Sequence, residues 1–160
     1  SCYQRRRHGS VEDFTEEMIV CFYSGDSSRP SVYSETTIKK SRKERKCSDC
    51  YAVIPVGSPY KKVFGVWDHE PETFSQCILC VSLRSGIESV EIDAGCSRDE
   101  ANPMLGDLKE QLHEESGEYY KSLVRLGFQS EADHLCLVMG KDFKDEHDAQ
   151  ILAEEILCQA

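Results

Sequence analysis

Lys39-Lys40-Ser41-Arg42-Lys43-Glu44-Arg45-Lys46-Cys47-Ser48-Asp49-Cys50, taken together with Thr73-Phe74-Ser75-Gln76-Cys77-Ile78-Leu79-Cys80, decides the fold. The two Cys-x-x-Cys pairs are separated by 26 residues. A two-residue spacer turns both sulfurs of a pair toward a common point, so four thiolates close a tetrahedral shell around one ion. The expected ion is Zn²⁺, one per chain, held by Cys47, Cys50, Cys77 and Cys80 in a structural role. Four protein ligands leave no open position for a catalytic water, which argues against hydrolysis at this metal. Such a site supplies on the order of 10 kcal/mol to small zinc units. Neither pair has the strand-helix context of a thioredoxin-like redox motif.

Between the pairs, Ile54-Pro55-Val56-Gly57-Ser58-Pro59 carries turn chemistry, and Tyr60 to Trp67 is rich in β-formers. Asp68-His69-Glu70-Pro71 reads as the reversal and Glu72 to Gln76 as the return, a hairpin joining two metal half-sites. Upstream, Ser31 to Ile38 alternates as a strand leading into the basic run. Downstream, the second pair opens a short helix that lacks a breaker until Gly86.

The flanks differ in character. In residues 1–30, Ile19 to Tyr23 reads as a strand ending at Ser24-Gly25-Asp26. After the linker-like Asp93 to Ser97, Pro103 is placed to start a helix, with Leu105, Leu108 and Leu112 on one stripe. Gly117 interrupts, and Tyr119, Tyr120, Leu123 and Leu126 continue to a stop at Gly127. Asp142 is a candidate N-cap for a last helix whose buried face is Ala149, Leu152, Ala153 and Ile156, with Asp145, Glu146 and Asp148 near its start. The expected class is α+β: an N-terminal β element over 1–30, a zinc hairpin and helix over 31–92, and an acidic helical region over 93–160.

Composition sets the bounds. At 160 residues, with 39% hydrophobic and 30% charged positions, the chain has room for one compact domain or two very small ones. The net charge of −10 is unevenly placed. Residues 1–80 hold 12 Lys/Arg against 11 Asp/Glu, whereas 81–160 hold 7 against 18. An acidic whole argues against coating DNA, yet a local basic patch survives in Lys39, Lys40, Arg42, Lys43, Arg45 and Lys46. Of these, Lys43, Arg45 and Lys46, just before Cys47, also favour the thiolate forms of the cysteines. No apolar run is long enough to span a bilayer, and none follows Arg5-Arg6-Arg7 as a signal peptide requires. With an odd count of nine cysteines, the expectation is a soluble cytoplasmic protein rather than a secreted disulfide scaffold. The surplus Cys2, Cys21, Cys96, Cys136 and Cys158 read as small core residues.

Asp68-His69-x-Pro71 resembles the Asp-His-x-x-Pro stretch of His-Asn-His nucleases, but the proline comes one position early. No Asn or second His follows Cys80 before Asn102 and His113, so His69 reads as a turn residue and a degenerate nuclease ranks last. His8, His113, His134 and His147 are scattered and read as surface or partly buried side chains.

The stretch Tyr33 to Arg84 resembles a family of uncharacterised zinc-binding proteins of tailed bacteriophages and prophages. The resemblance rests on Lys39 to Cys50, Ile54-x-x-Gly57-x-x-Tyr60, Phe64-Gly65-Val66-Trp67-Asp68 and Thr73-Phe74-x-x-Cys77-x-x-Cys80. It implies a treble-clef or zinc-ribbon protein with a helical tail, acting in an infected bacterium, and it implies no reaction. The leading functional expectation is therefore non-enzymatic binding of a host protein, with inhibition as one consequence and the acidic helices as the surface. The alternative is a nucleic-acid contact through Lys39, Lys40, Arg42, Lys43, Arg45 and Lys46 with Trp67 as a stacking platform. No membrane partner is expected.

Overall fold

Asp68 and His69 both have positive φ, 50° and 66°, and this left-handed pair forms the two-residue turn whose twist matches that of a β-hairpin. The computed structural model describes residues 30–97, 101, 103–112 and 114–159. Across them the chain is α+β, with a small antiparallel sheet, a two-stranded ribbon and five helices. The elements are β1 (Val32–Ile38), β2 (Arg45–Lys46), β3 (Val53–Ile54), β4 (Tyr60–Trp67), β5 (Glu70–Cys77), α1 (Ile78–Asp93), α2 (Leu108–Gln111), α3 (Ser116–Arg125), α4 (Gln129–Met139) and α5 (Phe143–Gln159). The expected strand at Ile19 to Tyr23, and the β element built on it, lie outside the described residues, as do Cys2, Cys21, His8 and His113.

The sheet runs β1-β4-β5, with Ile38 opposite Tyr60 and Tyr60 opposite Cys77. The reversal is tighter than the four-residue turn expected, because Glu70 and Pro71 already belong to β5. That strand is an edge, where a proline without an N–H breaks no internal ladder. Gly65 is a packing requirement: a Cβ there would lie 2.3 Å from Cη2 of Trp67, whose ring folds back over it. Trp67 also meets Tyr33 and Phe74 edge to face, at 6.5 and 6.0 Å between centroids.

Cys77 ends β5 and is the N-cap residue of α1, so strand passes into helix without a loop. The helix does not stop at Gly86, as a breaker would predict, but runs on to Asp93, 16 residues in all. A Cβ on Gly86 would lie 2.9 Å from Cδ2 of Leu123, so this glycine lets α1 and α3 approach closely. Leu83, Ile87 and Val90 of α1 pack with Tyr119, Tyr120 and Leu123 of α3 and Leu135 and Val138 of α4. Tyr60, Ile54, Cys47 and Cys80 belong to the same core, which joins sheet, ribbon and helices.

Several expectations about the second half are corrected. Pro103 starts no helix, since α2 begins only at Leu108 and lasts 4 residues. Gly117 does not interrupt a helix but lies inside α3, which begins at Ser116 after α2 ends at Gln111. Gly127 does end α3, in the left-handed region at φ 90°. Asp142 caps α5 as expected, its Oδ1 accepting the Lys144 N–H at 3.1 Å. The face assigned to the core is nevertheless in solvent: Ala149, Leu152, Ala153 and Ile156 are all exposed. The helix docks through its first turns, by burying Phe143 and placing His147 against the ring of Tyr120. Among the surplus cysteines, Cys136 is half-buried with a free thiol, whereas Cys96, buried, and Cys158, exposed, are each disulfide-bonded, so neither is simply the small core residue expected.

One buried polar group stands out. Glu91 on α1 is fully buried, accepts the Tyr119 hydroxyl, and has the Cys96 sulfur 3.1 Å from its other oxygen. Burial pushes its carboxyl up to about 7 from the ordinary 4.5, against the lowering effect of the Tyr119 bond.

Candidate metal centre

The first cysteine pair sits on a tight turn between β2 and β3. Cys47 N–H bonds the Ala52 carbonyl at 2.8 Å, the Tyr51 N–H returns to the Cys47 carbonyl at 3.0 Å, and Tyr51 adopts φ 65° to close the loop. The second pair comes from the β5–α1 junction, one sulfur at the N-cap position and the other in the first turn. These two elements bring all four Sγ atoms of Cys47, Cys50, Cys77 and Cys80 within 4.8 Å of one another. The Cys50 and Cys77 sulfurs lie 3.9 Å apart. A tetrahedron with metal–sulfur bonds of about 2.3 Å has edges of about 3.8 Å. The donor set therefore fits a metal ion such as zinc, and the four residues that spacing singled out are the four the fold assembles. Cys47 and Cys80 are buried, and Cys50 and Cys77 half-buried.

Without an ion the four sulfurs share protons unequally. Hydrogen bonds from Cys50, Cys77 and Cys80 hold the Cys47 thiol far below its ordinary range, and hydrogen bonding to Cys47 pushes Cys77 and Cys80 up. A bound cation deprotonates all four, because the coordinating species is the thiolate. Two nitrogen groups lie against these sulfurs. The Cys77 N–H points to Cys47 Sγ at 3.4 Å, and Nε2 of His134 lies 3.3 Å from Cys80 Sγ.

The residues around the ligands were not legible from spacing. Asp49, between the first two cysteines, is fully buried and receives two hydrogen bonds from Arg84 of α1, at 2.7 and 2.6 Å. The same guanidinium donates to the carbonyls of Pro103 and Met104, at 3.2 and 2.9 Å. The turn itself also receives N–H groups: Asp107 donates to the Ser48 carbonyl at 2.8 Å and Lys109 to the Asp49 carbonyl at 3.1 Å. Ser48 in turn bonds β5, its N–H to the Ser75 carbonyl at 2.7 Å. The knuckle turn and Arg84 thus anchor Pro103, Met104, Asp107 and Lys109, the residues that lead into and open α2. His134, read as a scattered histidine, is instead 8% exposed and packed on a ligand, and desolvation lowers its pKa. Its signal lay in Ala132, Leu135 and Val138, the helical stripe of α4 that was not singled out.

The basic run is divided. Lys39, Lys40, Arg42, Lys43 and Lys46 are exposed, while Arg45 is half-buried with its guanidinium 5.2 Å from the Tyr60 ring centroid. Lys46 lies over Tyr51 at 5.3 Å. Trp67 is not brought to this run. The run follows Ile38, opposite Tyr60, and Trp67 lies at the other end of β4, about 23 Å away at roughly 3.3 Å per residue. His69 occupies the exposed hairpin turn beside Trp67, at the end of β5 opposite Cys77. No family model, no curated protein and no solved structure matches the chain. Among the described residues no helix is long and apolar enough to cross a membrane.

Proposed function

We propose that the chain is a zinc-scaffolded, non-enzymatic binding protein that presents α5 to a basic segment of another protein. In this reading the order of knuckle, hairpin and helix is that of a treble clef, with zinc as its one structural ion. Saturation of the metal by four thiolates supports a scaffold over a catalyst.

The observation that carries the proposal is the outer face of α5. Leu152, Ile156 and Leu157 are 58%, 59% and 67% exposed, on a helix whose first turns pack on the body through Phe143 and His147. At 100° per residue, Ala149, Leu152, Ala153, Ile156 and Leu157 share one arc, with Asp145 and Glu146 at its N-terminal end and Asp148 and Glu155 along one border. An apolar stripe set among carboxylates complements an amphipathic segment bearing Lys or Arg, and it repels a second copy of itself. The resemblance of Tyr33 to Arg84 to phage zinc proteins makes a host protein in the bacterial cytoplasm the partner within this proposal, with inhibition as one consequence of binding.

The test is titration with a synthetic amphipathic Lys/Leu helix, followed by calorimetry. Leu152→Ser with Ile156→Ser abolishes binding while changing stability by less than about 0.5 kcal/mol, as expected for exposed positions. Absence of binding, or binding unchanged by the double substitution, refutes the reading. A second reading has its own observation: among the described residues the exposed Lys39, Lys40, Arg42, Lys43 and Lys62 form no ion pair. It gives single-stranded nucleic acid as a partner, with affinity falling steeply with salt.

A further inference from the structure

Resting on the reading of the four cysteines as a metal centre, we infer that His134 is its positioning residue: an N–H donor from α4 to the Cys80 sulfur that sets how long the ion is held. The argument is one of valence. A thiolate that ligates a cation can accept hydrogen bonds and cannot donate them. With Nε2 of His134 3.3 Å from Cys80 Sγ, the contact is favourable only if the imidazole carries its proton on Nε2. Nδ1 is then the bare nitrogen, and Nδ1 is the atom that is buried without any hydrogen-bond partner. Burying an unpaired N–H is costly, whereas a lone pair left in an apolar pocket is the milder fault, so the Nδ1 environment selects the same tautomer independently. Cys80 is fully buried, and this donor replaces the water that an exposed thiolate would use.

The consequence is a link between the helices and the ion. His134 is held by its neighbours Leu135 and Ala132, both fully buried in the core against α1 and α3. The stretch of α4 that carries the ring therefore stays beside Cys80 as long as the bundle is closed. Partners of this kind are worth 10–100-fold in metal affinity at other protein sites, and the same range is expected here, expressed as faster release.

The experiment uses the full chain reconstituted with Zn²⁺, Co²⁺ or ¹¹³Cd²⁺. Zinc transfer to a chromogenic chelator is timed for the wild type, His134→Leu, His134→Gln and Leu135→Ala. His134→Leu releases zinc about 10–100-fold faster and shifts the sulfur-to-cobalt charge-transfer band. His134→Gln, whose amide can place an N–H near the Nε2 position, restores both. Leu135→Ala loosens the core but leaves the cobalt band in place. In the ¹¹³Cd protein the His134 Nε2 proton is coupled to the metal through the sulfur. A tetrathiolate spectrum with unchanged release and band in His134→Leu, or an Nδ1-protonated ring, overturns the inference while leaving the metal centre standing. Failure of the wild type to take up any of the three ions overturns both.

Discussion

Asp49→Ala isolates the contact that ties the knuckle to the helices. Asp49 is fully buried and the Arg84 side chain is 13% exposed, so the pair is shielded from solvent and salt. Removing the carboxylate leaves a guanidinium with no counter-charge, holding only the carbonyls of Pro103 and Met104. Loss of one member of a buried pair costs about 3–5 kcal/mol, and the remaining carbonyl bonds and partial exposure of Arg84 place this case near 3 kcal/mol. For a chain of this size that is a fall of about 6–12 °C in Tm. The assay is urea unfolding followed by circular dichroism with zinc in excess, so that occupancy stays constant between variants. The loss persists in about 1 M salt, where an exposed pair would be screened. Arg84→Lys recovers only part of it, since an ammonium cannot make the two-pronged contact. A change below about 1 kcal/mol, or one that vanishes with salt, would refute the assignment of Asp49 and Arg84 as a buried clamp.

Three other outcomes follow from the packing. Elemental analysis gives one metal ion per chain, and a chelator strong enough to strip it removes on the order of 10 kcal/mol and the native near-ultraviolet signal. Gly65→Ala forces Trp67 off the sheet, shifts its fluorescence to the red and costs about 1–3 kcal/mol. Glu91 gives a pH signature of defined sign. Its folded pKa of about 7 lies above the ordinary 4.5, so the folded state holds the extra proton between these values. Stability contributed by this group therefore falls as pH rises from about 4.5 to 7, by about 1–3 kcal/mol in total. Compared with Glu91→Gln at constant zinc, the wild type gains over the variant on acidification; a constant difference across that range contradicts the assignment.

The metal ligands and the hairpin were legible because both are written locally. Cys-x-x-Cys needs only its own spacing, and Tyr60 to Trp67 carries β-propensity that no neighbour overrides. The strand at Val32–Ile38 was read for the same reason. Gly86 misled because a glycine in a helix reads as a breaker until Leu123, far along the chain, is known to press against it. The α5 stripe misled in the opposite sense, since helical periodicity shows that a face is apolar and not that anything covers it. Asp49, Arg84 and His134 escaped because their roles exist only once separated segments meet. An aspartate between two cysteines and a histidine on an apolar helix carry no mark of the partners they find.

The chain order of the metal centre has a meaning for biosynthesis. All four ligands have been translated once Cys80 is made, whereas His134 follows 54 residues later. At about 5–20 residues per second that interval is roughly 3–11 s, far longer than a hairpin takes to form. A nascent chain can therefore capture its ion while Cys80 still faces water, and the arrival of α4 then closes the door behind it.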